Sequence, residues 1–209
     1  LARYTGPSCR VCRGEGVKLF LKGSRCLDNK CAFERRSYSP GEHGKLRKPK
    51  VTEYRMQLRE KQRVKKIYGV QEKQFRLTFA KGERQKGITG ENLLILLERR
   101  LDSVAYRLGF AESRNQARQI VSHGHLLVNN QKVNVPSYVI KKDDVITIKE
   151  KSRKSEQIKN ALEAVKGRGV PKWLELDTDK FSGKVVAMPT REDVGLPVNE
   201  QLIVELYSK

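Results

Sequence analysis

Acidic residues are scarce in this chain of 209 residues: 24 Asp and Glu face 44 Lys and Arg, a formal net charge of +20. Such an excess repels itself, and RNA or DNA is the commonest remedy. Aromatic residues are 7% of the chain, too few for the stacking platforms that read single strands. No run approaches the roughly 18 apolar residues of a membrane span. The opening LARYTGPSCR lacks the apolar centre of a signal peptide, so a soluble cytosolic protein is expected. Titratable pairs suited to catalysis are also missing. His43, His123 and His125 lack the partners that acid/base work needs. The pairs Asp143/Asp144 and Glu192/Asp193 read as turn residues. The chain is therefore expected not to be an enzyme.

The charge is unevenly placed. Residues 1–50 hold 13 basic and 4 acidic side chains, and residues 51–66 hold 6 and 2. Residues 67–98 are near neutral, residues 99–163 carry 13 and 7, and residues 164–209 carry 7 and 7. The first third is the polyanion-facing part and the middle adds a second basic patch.

Residues 1–50 contain all four cysteines and little periodicity, and read as a loop-rich module. A helix is expected over Glu53–Tyr68, capped by Thr52 and ended by Gly69. Along it Arg55, Arg59 and Lys66 fall on one stripe with Arg63 beside them. A short helix follows at Glu72–Lys81, with Phe75 and Phe79 inward. Glu91–Leu108 has apolar residues every three or four positions, as one helix or two abutting ones. Ser113 and Gln116 have capping-box spacing, Ala117, Ile120 and Val121 form an inner face, and Gly124 suits a C-terminal stop. The period then changes to strands at Leu126–Val128, Lys132–Val135, Tyr138–Ile140 and Val145–Lys149, with a turn at Asn129-Asn130. A helix at Ser152–Val165, a hairpin of Trp173–Asp177 with Lys184–Met188, and a last helix capped by Asn199 complete the chain.

Two residues separate Cys9 from Cys12, and after 13 more residues four separate Cys26 from Cys31. Two close pairs let two loops converge on one tetrahedral ion, and four thiolates close its shell to chemistry. Two disulfides would suit a secreted protein better. The spacing favours one structural Zn2+ on Cys9, Cys12, Cys26 and Cys31, with an iron–sulfur cluster on the same ligands as the remaining metal reading. The metal would staple a module too small and polar to fold on a core alone.

GPSCRVCRGEG near the start, RRSYSPGEHG (Arg35–Gly44), LREKQRVKKIYGV (Leu58–Val70), the long stretch from Arg99 to Ile146 and the ending LPVNEQLIVELYSK closely resemble the bacterial family of small-subunit ribosomal protein four. The resemblance spans the whole chain, and the cysteines match the zinc-bearing four-cysteine branch. It implies a primary binder of the 5′ domain of 16S rRNA, acting in assembly of the small (30S) subunit and in translational accuracy. It further implies small-subunit ribosomal protein five and other 30S components as neighbours, close to where mRNA enters. The implied fold is α+β: a mainly helical domain with a loop-rich zinc-binding extension, plus an inserted helix–hairpin RNA-binding module with a small antiparallel sheet. The implied domains are 1–46, a discontinuous 47–98 plus 164–209, and the inserted 99–163.

The candidate RNA contacts in the first third are Arg3, Arg10, Arg13, Lys22, Arg35, Arg36, His43, Arg47, Lys48 and Lys50, followed by Arg55, Arg59, Arg63 and Lys66. His43 is implied by the resemblance. In the inserted module they are Arg107, Arg114, Asn115, Gln116, Arg118, His123 and His125. Arg114 and Arg118 lie four apart on one face, and an arginine fork matches phosphate oxygens. The rival readings are an RNA-modifying or stress-related protein carrying the same module, and a zinc-containing factor for duplex DNA. The first would need a catalytic domain of about 100–150 residues that the remainder does not supply, and the helix–hairpin module favours RNA over the second.

Overall fold

The computed structural model describes residues 4–46 and 50–208. The chain divides into two compact units, Leu1–Gly90 with Leu196–Lys209, and Glu91–Gly195.

In the first unit, α1 (Ser8–Glu15) ends on Gly16 in the left-handed region, and α2 (Ala32–Arg35) is a single turn. The expected loop-rich start is thus partly helical, with Cys9 and Cys12 one turn apart on α1. Helix α3 (Glu53–Ile67) begins where Thr52 accepts a bond from the Arg55 amide, a cap that satisfies one of the orphan donors of the first turn. Helix α4 (Glu72–Glu83) turns Phe75 and Phe79 inward.

The second unit starts in α5 (Thr89–Glu98), which stops at Arg99-Arg100 before α6 (Leu101–Arg107). The Glu91–Leu108 pattern is therefore two helices. Helix α7 (Arg114–Ser122) is capped by Ser113, which accepts from the Gln116 amide at 3.3 Å. The Gln116 side chain reaches past the cap to the amide of Glu112 at 2.9 Å instead of closing a reciprocal box. Strands β1 (Leu126–Val128) and β2 (Gln131–Lys132) are joined by Asn129 and Asn130, both at positive φ, as a two-residue hairpin requires. The expected strand at 132–135 shortens to this two-residue β2. That at 138–140 reduces to one bridge between Arg100 and Val139. Strand β3 (Val145–Ile148), helix α8 (Glu156–Arg168), β4 (Leu174–Asp177) and β5 (Ser182–Val185) follow. The short α9 (Arg191–Val194) has the capping box, with Asp193 bonded to Thr190.

All sheet neighbours are antiparallel, in the order β2-β1-β3-β5-β4. In place of the expected 1–46, 47–98 plus 164–209 and 99–163 there are two units, with 1–46 inside the first and 91–98 inside the second. Residues 164–195 do not return to the first unit, because β5 pairs with β3 and places Gly183 opposite Ile146. Trp173, Leu174 and Val185 are buried in the same core as Leu101, Leu108, Ile120 and Ile146. Gly183 faces Leu108 so closely that a Cβ there would sit 2.4 Å from its Cδ2. Only Leu196–Lys209 rejoins the first unit, and the hairpin itself closes two residues earlier than its pattern suggested.

That return is α10 (Glu200–Tyr207), capped by Asn199 and packed on α3. Ile203 is fully buried, and the Tyr207 ring lies 4.6 Å from that of Phe79. The Tyr207 hydroxyl donates to Glu72 Oε1 at 3.2 Å, where Lys61 and Lys65 also donate to that carboxylate. Partial burial raises the Glu72 pKa, but the two lysines outweigh it and hold the group at about 2 against an ordinary 4.5. The folded value lies below the unfolded one, so this stabilisation is present in full above about pH 4.5 and fades as pH falls toward 2. Because the side chain is 39% exposed, solvent screening reduces it. Glu72→Gln is expected to lower unfolding free energy by about 1 kcal/mol at pH 7. The gap from the parent protein should shrink steadily in urea titrations between pH 4.5 and 2.

Candidate nucleic-acid interface

In the first unit the four cysteines lie on α1 and in the turns that follow it. Cys12, Cys26 and Cys31 are buried, Cys9 is half-buried, and none is in a disulfide. Burial pushes the Cys12 thiol pKa up, against the pull of a bond from the Leu19 amide, and the charges of Cys26, Cys9 and Cys31 push it further. Burial likewise raises Cys26, whose sulfur accepts from the Lys22 amide at 3.3 Å. Four cysteines within one short segment, two of them receiving backbone N–H donors, have the donor chemistry that a soft tetrahedral ion takes. Among the described residues no three His, Cys, Asp or Glu side chains stand ready in an ion-gripping arrangement, so the fit is one of donor chemistry.

Around this cluster the cations fall into two groups. Arg13 is used internally: its guanidinium donates to the Tyr38 carbonyl at 3.0 Å and lies 4.9 Å from the centre of the Tyr38 ring. Arg59 donates to the Gly14 carbonyl and pairs with Glu15, and Arg63 pairs with Glu60 at 2.9 Å. By contrast Arg10, Lys22, Arg35, Arg36 and Lys50 are exposed, and Arg55 and Lys66 are half-buried on α3. Among the described residues no carboxylate pairs with any of these seven. His43 is exposed in the 39–44 loop. Arg3, Arg47 and Lys48 lie outside the described residues.

The second unit treats its arginines differently. Glu98, 1% exposed, accepts two bonds from Arg107, at 2.7 and 3.1 Å, one from Arg114 at 3.0 Å and one from Ser103 at 2.9 Å. Arg107 also donates to the Val194 carbonyl at 2.6 Å, and Arg114 stacks 4.6 Å over the Tyr106 ring. Buried Asp102 is gripped by Arg100 at 2.7 Å, with Arg118 at 3.7 Å. Arg107 and Arg114 meet on Glu98 and Arg118 lies beside Asp102, so these three candidate RNA contacts face buried carboxylates. Asn115 is half-buried at the start of α7, and Gln116 is spent on the Glu112 amide.

A second edge of this unit is open. His123 is exposed, and its ring lies 5.9 Å from that of His125, whose Nδ1 meets the Ser152 hydroxyl at 2.8 Å. Burial lowers the His125 pKa, and His123 and Lys149 lower it further. Lys132 covers Gly124, where a Cβ would strike its Cε at 2.4 Å. Lys132 and Lys149 thus belong with the two histidines, although they were absent from the sequence-derived set. The signal that places them is the strand register, which sets Leu127 beside Lys132 and Leu126 beside Ile148. No described helix is long and apolar enough to cross a membrane.

Residues 3–98 match the family described as ribosomal protein S4/S9 N-terminal domain, and residues 99–146 match the S4 domain. Over all 209 residues, and the full length of each relative, the chain is 61% identical to the small ribosomal subunit protein uS4 of Citrifermentans bemidjiense. The corresponding figures are 60% for that of a Thermoanaerobacter species and 57% for that of Syntrophus aciditrophicus, again end to end. The chain belongs to the uS4 family of small ribosomal subunit proteins.

Proposed function

We propose that the chain is a structural, RNA-binding constituent of the small ribosomal subunit that holds its RNA through backbone and shape. The supporting observation is the set of cations in the first unit that lack carboxylate partners among the described residues, in a chain alike end to end to proteins named uS4. Each phosphate neutralised by such a cation releases condensed counterions, so binding needs no chemistry beyond placement. The resemblance extends this to the 5′ domain of 16S rRNA, with small-subunit ribosomal protein five and mRNA close by. It also suggests a part in translational accuracy. We further propose one Zn2+ on Cys9, Cys12, Cys26 and Cys31, holding α1 and the turns after it in place as the platform for Arg10, Lys22 and Arg35. Zinc would supply folding energy here and leave no coordination position for a reaction.

Binding to a transcript of the 5′ domain, compared with duplex DNA of equal charge at the same salt, tests the main reading. The transcript is expected to bind at least about tenfold more tightly, and equal affinities would overturn it. Arg55→Ala should flatten the slope of log affinity against log salt by about one without changing stability. Arg114→Ala should instead lower stability, because that guanidinium neutralises Glu98.

A further inference from the structure

The first unit contains an open cavity of about 460 Å³ that the cation stripe alone does not explain. Its walls are Gly14 at the end of α1, the 39–44 loop, and Arg55 and Arg59 from α3. The volume lies within the range of small-ligand sites. The walls are preformed. Arg13 pins the loop through the carbonyls of Tyr38 and Ser39, at 3.0 and 3.4 Å, and Gly44 closes it with a bond to the Gly41 carbonyl at 3.2 Å. Gly41 has φ of 103°, and a Cβ on Gly44 would lie 1.9 Å from the Ser39 oxygen, so both positions need glycine. Arg59 is fixed by Gly14 and Glu15, whereas Arg55 has no carboxylate partner among the described residues.

The chemistry of the walls is divided. Arg55 and Arg59 bring guanidinium groups to its lining, and the loop brings backbone, His43 and Glu42. An arginine fork suits a phosphate, and an ionised carboxylate accepts only, so it suits a base edge with adjacent N–H donors. Among the bases guanine presents two such donors side by side. We infer that this cavity takes one unpaired guanosine nucleotide, with its phosphate on Arg55 and its base against the 39–44 loop. The inference rests on the RNA-binding reading and adds to it a base-selective slot, where the surrounding cations are indifferent to sequence.

The test uses the intact protein titrated by calorimetry with GMP, AMP, UMP and inorganic phosphate. GMP is expected to bind about tenfold more tightly than inorganic phosphate and more tightly than AMP or UMP. Gly14→Leu fills the space, since a Cβ at Gly14 meets nothing within 4 Å in an ordinary helical backbone. It should abolish GMP binding at an unchanged melting temperature, while Gly167→Leu, an equally unobstructed site on α8, should leave binding intact. Glu42→Gln, on the exposed loop, should remove the preference for GMP over AMP, which keeps the question answerable if Gly14→Leu does not fold. GMP binding no tighter than phosphate, or unaffected by both Gly14→Leu and Glu42→Gln, would overturn the slot. In the same preparations the parent protein's preference for the 5′-domain transcript over duplex DNA is measured. If that preference holds while the nucleotide arm fails, the slot alone is wrong; if it is absent, the RNA reading fails with it.

Discussion

Replacing Glu98 by alanine is expected to lower the unfolding free energy of the second unit by about 3–5 kcal/mol, the usual cost of removing one partner from a buried ion pair. The carboxylate is 1% exposed and receives bonds from Arg107, Arg114 and Ser103. Its loss would remove this shared carboxylate from two guanidinium groups that are 19% and 14% exposed. The penalty falls on α6 and α7 together, because one arginine comes from each. Glu98→Gln keeps the shape and one acceptor oxygen, so an intermediate loss is expected. The measurement is simple because the chain has a single tryptophan. Trp173 is buried in the second unit's core, and its fluorescence in urea reports that unit. A loss below about 1 kcal/mol would place the pair among surface-type ion pairs and refute the structural role.

Metal removal should act on the other unit. One zinc per chain is expected, and a strong chelator or Cys12→Ser should unfold α1 and the turns up to Cys31, since apparent zinc energies of roughly 10–16 kcal/mol dominate small modules of this kind. Trp173 fluorescence should not change. Affinity for the 5′-domain transcript should fall by about 100-fold or more, because Arg10, Lys22 and Arg35 would no longer be held in place. Finding no metal with this module still folded would overturn the zinc proposal.

Local signals in the sequence proved reliable where the structure depends on neighbours along the chain. Thr52, Ser113 and Asn199 cap their helices. Asn129-Asn130 turns the hairpin, and Gly124 stops α7 in the left-handed region. What the sequence hid is long-range. The 173–185 hairpin reads the same whether it joins one sheet or another, and only its pairing with β3 decides its unit. Arg107 and Arg114 look like a phosphate-facing pair because their common partner lies 9 and 16 residues away. Glu98 itself ends an apolar helix, where a carboxylate reads as an ordinary exposed end. Helix α1 is short and polar, so its periodicity is too weak to register beside the cysteines. The cavity beside the 39–44 loop depends on two left-handed or crowded glycines whose meaning appears only once the loop is closed.

The return of α10 to α3 also sets an order of events during synthesis. The second unit is complete once Gly195 has been made, and its core needs nothing that comes later. The first unit is begun earlier yet lacks buried Ile203, and the Tyr207 ring that packs on Phe79, until residues 203–207 emerge. At roughly 5–20 residues per second, the basic N-terminal part waits for the intervening chain with its packing face uncovered. The first unit is therefore begun before the second and finished after it.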